Sequence, residues 1–208
     1  MLREETVEPA TLGLLKKIVA LPELHTFRLV GGTALSLLFG HRKSIDLDFF
    51  TDKPLEIDIL VPAIEESFGE IVPIKSSKNI YQCIIQDIKV DFVSVRDPFL
   101  NPVQIIDQIP FADTKDLIAL KLNAVKGRGV KKDFWDVAKL LEIYSLKDLF
   151  QFYHDRYRYD DTFAVGILMT YFADAEDDVN PVSLDGMTWN KVKRTITKAF
   201  DNYNKNIN

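Results

Sequence analysis

Gly31-Gly32-Thr33-Ala34-Leu35-Ser36, followed shortly by Ser44-Ile45-Asp46-Leu47-Asp48-Phe49-Phe50, is the stretch on which the fold turns. Just upstream, Phe27-Arg28-Leu29-Val30 reads as a short buried strand that the two glycines end, and Thr33 to Phe39 reads as the opening of a helix. Ile45 to Phe50 alternates apolar and polar residues as a half-buried strand does. Asp46 and Asp48 then share one face, and Ile45, Leu47 and Phe49 share the other. Two carboxylates about 7 Å apart on one face repel each other unless water or a cation lies between them. Magnesium suits such a pair, because it takes hard oxygen ligands and is commonly bound through one or two carboxylates plus substrate phosphates. A strand ending in Gly31-Gly32 with Thr33 opening a helix presents backbone N–H groups and a positive helix end, which together hold phosphate. Each feature also has a plainer meaning. Alternating Asp can be a solvated face, and paired glycines can be a tight turn before a core helix.

A third acid would complete a metal-binding set. Asp91 lies in Ile88-Lys89-Val90-Asp91-Phe92-Val93, which reads as a strand. If that strand lies beside the one carrying Asp46 and Asp48, Asp91 joins them and can also accept a proton; otherwise it is an edge-strand acid facing water. Asp87 and Asp97 are rivals, but both fall at turns. Further elements follow from apolar period: helices over 11–21 and, despite Pro62, over 55–68, and strands over 71–75, 81–86 and 88–95. The last two strands are expected to form a hairpin turning at Gln86-Asp87.

From Asp113 onward the pattern is almost wholly helical. Asp113 and Asp116 resemble a capping box, and helices are expected over 114–126, 131–143, 146–157, 161–173 and 187–203. This gives two domains, an α+β core over 1–112 and a helical domain over 113–208. Lys121 to Lys132 carries five basic residues and no acid. Lys121 and Arg128 would share a face of one continuous helix, although Gly127 and Gly129 suit a helix end and a reversal. The segment serves either to neutralise a triphosphate, with Asp133 holding a basic residue in place, or as a solvated charged face.

Taken together, Gly31 to Ser36, the run His41-Arg42-Lys43-Ser44-Ile45-Asp46-Leu47-Asp48-Phe49-Phe50, and the block from Asp116-Leu117 to Asp136 resemble the AbiEii/AbiGii toxin family of nucleotidyltransferases. That family lies within the DNA polymerase β-like nucleotidyltransferase superfamily, and the resemblance spans residues 25 to 142. It implies a nucleotidyltransferase-like mixed β-sheet with flanking helices, followed by a C-terminal helical bundle. It implies catalytic and metal-binding roles for Asp46, Asp48 and Asp91, and nucleotide binding by Gly31, Gly32, Thr33, Arg42 and Ser44. Lys121, Arg128, Lys132 and Asp133 match the family's shared motifs and are expected to serve the nucleotide as well. Thr33 stands where the wider superfamily carries Ser, so the hydroxyl is retained.

The resemblance further implies two Mg2+ ions, with Mn2+ as an alternative, and transfer of an NMP from an NTP to an acceptor hydroxyl. The acceptor it suggests is RNA, the tRNA 3′ end among candidates, with a cognate antitoxin as partner. A small-molecule acceptor of the antibiotic type, or an idle nucleotide-binding module acting through a protein partner, is the rival reading. Composition agrees with an ordinary globular chain: 208 residues, 47% hydrophobic, 27% charged, formal net charge −5. Cys83 is the only cysteine, so no intrachain disulfide can form. No run of about 20 apolar residues exists to span a membrane, and Met1-Leu2-Arg3-Glu4-Glu5 lacks a signal-peptide pattern. A cytoplasmic protein without membrane contact is expected. His41 reads as an exposed loop residue and Cys83 as core packing; 150–159 reads as helix-packing aromatics with snorkelling arginines rather than a base-stacking surface, and Lys191, Lys193, Arg194 and Lys198 as a solvated helix face rather than an RNA contact.

Overall fold

β1 (Arg28–Val30) runs into α2 (Gly31–Phe39) with no loop between them, and this joint organises the first of two units. The computed structural model describes residues 1–206. Residues 1–38 and 44–113 form one compact unit, and residues 39–43 join those from 114 onward in the other. The short stretch 39–43, kept with the amino-terminal domain in the sequence reading, thus clusters with the helical one.

The first unit holds a seven-stranded mixed sheet in the order β3-β4-β5-β2-β1-β7-β6. Its strands are β1, β2 (Leu47–Thr51), β3 (Val72–Ser77), β4 (Ile80–Ile85), β5 (Ile88–Ser94), β6 (Gln104–Ile106) and β7 (Ile109–Phe111). β2 runs antiparallel to β1 but parallel to β5, and β7 runs parallel to β1. β5 is therefore an interior strand, with Val90, Asp91 and Phe92 buried in succession. On the apolar face Phe49 stacks on Phe92 with ring centroids 5.7 Å apart, and Phe27 meets Phe92 edge-on at 5.8 Å. Each such fully buried ring or aliphatic chain contributes about 1.5–3 kcal/mol. α1 (Pro9–Ile18) begins on proline, whose missing N–H costs nothing at that position. It buries Leu14, Leu15 and Ile18, while α3 (Ile57–Phe68) buries Leu60 and Ile64 one turn apart and carries Pro62 inside the helix.

Two sequence expectations need correction here. Ile45 is 64% exposed because β2 begins only at Leu47, so Ile45 and Asp46 precede the alternating register. The β6–β7 hairpin was not foreseen. Its strands have three residues each, and Pro110 argues against a strand because it cannot donate a ladder hydrogen bond. Both hairpins, β4–β5 and β6–β7, turn on two residues with positive φ: Gln86 (52°) and Asp87 (65°), and Asp107 (49°) and Gln108 (66°). That is the mirror-image turn whose twist suits antiparallel strands, here made without glycine.

The second unit contains α4 (Thr114–Gly127), α5 (Lys131–Leu140), α6 (Leu146–Arg156), α7 (Thr162–Met169) and α8 (Trp189–Lys205). α4 packs against α5, α6 and α7, and α5 packs against α8. Gly129, at φ 49°, makes the reversal between α4 and α5. A capping box with both reciprocal hydrogen bonds stands at Ser145 and Asp148. α7 stops at Met169, short of the expected residue 173, with the Thr170 hydroxyl donating to the Ile167 carbonyl at 2.8 Å. Trp135 of α5 stacks on Trp189 of α8 at 6.2 Å, and Phe134 meets Trp189 at 5.8 Å. Among the described residues, no helix is long and apolar enough to cross a membrane.

The strained β4–β5 turn gives a direct test of register. Replacing Gln86-Asp87 by Asn-Gly should raise unfolding stability by about 0.5–1 kcal/mol, because the left-handed conformation then costs less. Denaturant unfolding checks this; a loss of stability would mean the turn is not of this type.

Candidate active site

Asp48 and Asp91 are direct partners across the parallel β2–β5 ladder, and Val30 pairs with Asp48 on the other side. Directly paired residues in a ladder project to the same face. The two carboxylates thus stand side by side at the point where β1 gives way to α2. Gly31 makes room for them. A Cβ on Gly31 would lie 2.1 Å from Asp48 Oδ2 and 2.9 Å from its Cγ, and φ at Gly31 is +72°. Close approach and left-handed backbone both demand glycine there. The α2 N-terminus, which presents its first backbone N–H groups, consequently begins against a carboxylate.

Asp91 is buried, and its two oxygens differ. Oδ2 accepts from Gln82 Nε2 at 2.7 Å and from Lys89 Nζ at 2.8 Å, whereas Oδ1 is buried with no hydrogen-bond partner among the described residues. An orphaned carboxylate oxygen costs about 1–3 kcal/mol or more, a cost that a bound cation or a proton would remove. Among the described residues no three carboxylates, imidazoles or thiols are gathered as a ready-made metal cage. What the sheet assembles is a pair, with the Lys89 ammonium against one member. The donor set fits a hard divalent cation: all oxygen, two carboxylates on one face, one oxygen unpaired.

Thr33 is fully buried, and its hydroxyl donates to the Asp46 carbonyl while sharing a 2.9 Å hydrogen bond with the Ser44 hydroxyl. Both hydroxyls therefore fix the loop that carries Asp46. The hydroxyl retained at Thr33 acts on the chain itself rather than reaching outward. Ser44 is tied again by its N–H to the Thr6 carbonyl at 2.9 Å. Cys83 is fully buried, and burial together with the nearby Asp91 charge pushes its thiol up to about 12, so it is no nucleophile.

The remaining expected site residues lie in the second unit, where they form a buried ion cluster. Lys121 Nζ is 2.8 Å from Asp133 Oδ1 and 2.7 Å from Asp136 Oδ2. Arg42 grips Asp136 through Nε at 2.6 Å and Nη2 at 2.8 Å, and His41 Nε2 meets Asp136 Oδ1 at 2.7 Å. Arg42, His41, Lys121, Asp133 and Asp136 are all 5% exposed or less. His41, expected to be an exposed loop residue, is instead buried, and Arg42, expected at the nucleotide, is bound to Asp136. Arg128 is different: its Nε reaches Asp133 Oδ2 at 3.0 Å while 59% of its side chain stays exposed. Lys132 is also exposed. Burial pushes the Asp136 carboxyl up, yet Arg42, Lys121 and His41 outweigh it and hold it well below the usual range. Asp133 is lowered likewise, burial being overcome by Lys121 and Arg128. Lys121 is raised, since burial pulls it down but Asp136 and Asp133 prevail.

Sequence reasoning overlooked Gln82, Lys89 and Asp136. Lys89 was legible in principle, because a residue two before Asp91 on a strand shares its face. Gln82 required the β4–β5 register, and the hold of Asp136 on Arg42 joins residues 94 apart.

The family model described as "Nucleotidyl transferase AbiEii toxin, Type IV TA system" matches residues 13–188. An Aquifex aeolicus (strain VF5) protein, aq_aa25, is 34% identical over 171 residues, covering 79% of this chain and 82% of its own. Among solved structures, MenT4, a nucleotidyltransferase toxin from Mycobacterium tuberculosis H37Rv, aligns with a TM-score of 0.61 at 15% identity, over 92% of this chain and 82% of its own. JHP933 from Helicobacter pylori aligns at 0.56 and 18% identity, over 96% of each chain. The sheet and its following helices are a nucleotidyltransferase fold.

Two outcomes test the site's construction. Gly31→Ala should cost about 2–4 kcal/mol in unfolding free energy, from the clash with Asp48 and the left-handed φ; stability within 0.5 kcal/mol of wild type, a margin of the order seen at neutral surface sites, would contradict the close approach. For the ion cluster, both carboxylates have lowered folded values, so their stabilisation is complete above about pH 4 and is lost as pH falls through those values. Lys121 is raised, so its share is lost only in strongly alkaline solution. Asp136→Asn should destabilise the protein by about 3–5 kcal/mol at pH 7 and flatten the acid limb of stability against pH. An unchanged acid limb would count against the cluster.

Proposed function

The chain belongs to the AbiEii nucleotidyl transferase toxin family, and from that premise we propose that it moves an NMP from an NTP to a hydroxyl of an RNA acceptor. The observation that carries the reading is the cross-strand pair Asp48 and Asp91 set against Gly31, with Asp91 Oδ1 buried and unpaired. A two-carboxylate face beside a helix N-terminus is what a triphosphate and its counter-cations require. Asp46, Asp48 and Asp91 would hold divalent magnesium, two ions with manganese as a substitute. When bound, these ions would neutralise the phosphate oxygens and the charge developing on attacking and leaving oxygens.

The chain's own residues supply the rest. Backbone N–H groups from Gly31 onward, at the start of α2, would donate hydrogen bonds to phosphate oxygens. Thr33 and Ser44 hold the loop that carries Asp46, so the third carboxylate keeps its position without being part of a strand. Asp91 takes the proton of the acceptor hydroxyl. Lys89 holds Oδ2 of the same carboxylate at 2.8 Å and orients it. Arg128 and Lys132, the exposed cations of the 121–132 segment, serve the polyphosphate, while buried Lys121 holds Asp133 for Arg128. Positioning and electrostatics then account for most of the rate.

The acceptor is RNA in this reading, with the tRNA 3′ end as the first substrate to try, a cognate antitoxin as partner, and the cytoplasm as the setting. Incubation with each labelled NTP, magnesium and total RNA tests it. Wild type should label RNA, and Asp48→Asn or Asp91→Asn should cut turnover by at least about a thousandfold, some 4 kcal/mol of barrier, with unchanged circular dichroism. Near-normal turnover in either variant contradicts the mechanism. Label appearing only on small molecules would assign the acceptor to the antibiotic type.

A further inference from the structure

Formal charge is divided unevenly between the two units. The first carries 9 Lys and Arg against 17 Asp and Glu, a net −8, and the second carries 17 against 14, a net +3. The chain's overall −5 therefore hides a basic half. α8 concentrates that excess, with Lys191, Lys193, Arg194, Lys198 and Lys205 against the single acid Asp201. At about 100° per residue, Lys191, Arg194, Lys198 and Lys205 fall within an arc of roughly 60°. This arc lies away from Val192 and Ile196, the residues α8 buries.

A solvated helix face ordinarily mixes signs, because Glu and Lys spaced i, i+4 support each other while like charges at that spacing cost about 0.2–0.5 kcal/mol per pair. On α8 four cations share this face with one acid, Asp201, which falls about 20° outside their arc. Lys193, off the arc, is paired with Glu176 at 2.6 Å, whereas Lys191, Arg194, Lys198 and Lys205 have no ion-pair partner among the described residues. Arg194 and Lys198 stand i, i+4 with nothing to separate their charges. Arg194, Lys198 and Lys205 also line a shallow, open depression along α8, together with Asp201 and Phe172. From Arg194 to Lys205 the stripe runs about 16 Å along the helix, enough for several successive phosphates.

We propose that this face of α8 is a docking surface for the phosphate backbone of an RNA strand, engaged through Arg194, Lys198 and Lys205 and extended by Lys191. The inference rests on the RNA acceptor proposed above and specifies which part of the chain grips it. The contacts are to phosphate, so they supply affinity and register rather than sequence choice. A polyanion gains from this stripe by releasing its condensed counterions.

The test is RNA binding by the full chain, measured without NTP at several salt concentrations. The variant Arg194→Gln/Lys198→Gln/Lys205→Gln should bind RNA about a hundredfold more weakly at about 0.1 M salt, and its log–log salt slope should fall by about 2. The control Lys17→Gln/Lys75→Gln/Lys78→Gln, which removes the same charge from the first unit, should keep both values. Melting curves of all three proteins should coincide, since every substituted α8 side chain is solvent-accessible. Wild-type affinity and slope in the α8 variant overturn the inference, and if wild type still labels RNA the parent reading survives. RNA gripped through α8 but never labelled sinks the parent reading alone. Equal losses toward RNA and polyglutamate would reassign the face to an acidic protein and overturn the proposal.

Discussion

The contact of Asp48 with Gly31 is the constraint from which the first unit's arrangement follows. No side chain fits at residue 31, and the backbone there is left-handed. Strand β1 can therefore end and α2 begin at once, with the helix N-terminus beside a carboxylate. β2 must lie next to β1 to deliver Asp48, and β5 must lie next to β2 to set Asp91 opposite it. The apolar reverse of the same strands, where Phe49 stacks on Phe92, holds that register, since a one-residue slip would turn the acids into the core. Packing on one face and chemistry on the other are thus two consequences of one ladder.

The second unit depends on charge in a different way. Asp133 and Asp136 are fully buried, and desolvating them is costly unless positive groups surround them closely. Lys121 and Arg42 do so from inside and Arg128 from the surface, and His41 adds a hydrogen bond to Asp136. The recruitment of residues 39–43 into this unit follows, because Arg42 is bound to Asp136 through both of its oxygens. A basic sequence segment can accordingly hold cations of opposite purpose: Lys121 locked inside, Arg128 and Lys132 facing out.

Much of this was legible from spacing. Period-2 alternation put Asp48 on a polar face and Leu47 and Phe49 inward, and the helical period located the five helices after Asp113 to within a few residues. Gly31 announced itself as a bend. The limits were equally physical. Asp46 reads as part of the strand, yet it is held by Thr33 and Ser44 just before the strand begins, through contacts that no local pattern encodes. Arg42 beside Asp46 in sequence suggests a phosphate ligand, and only long-range folding reveals its carboxylate partner. β6 and β7, three residues each and one containing Pro110, carry too little alternation for the sequence to reveal them.

The central claim is that Asp48 and Asp91, fixed side by side against Gly31, form the seat of a divalent cation with nucleotide. Electron paramagnetic resonance of Mn2+ with a non-hydrolysable NTP analogue reads this without any turnover. Wild type should immobilise the metal only when the analogue is present, and Asp48→Asn and Asp91→Asn should leave it free in solution. Equal immobilisation by the wild type and both variants would contradict the account.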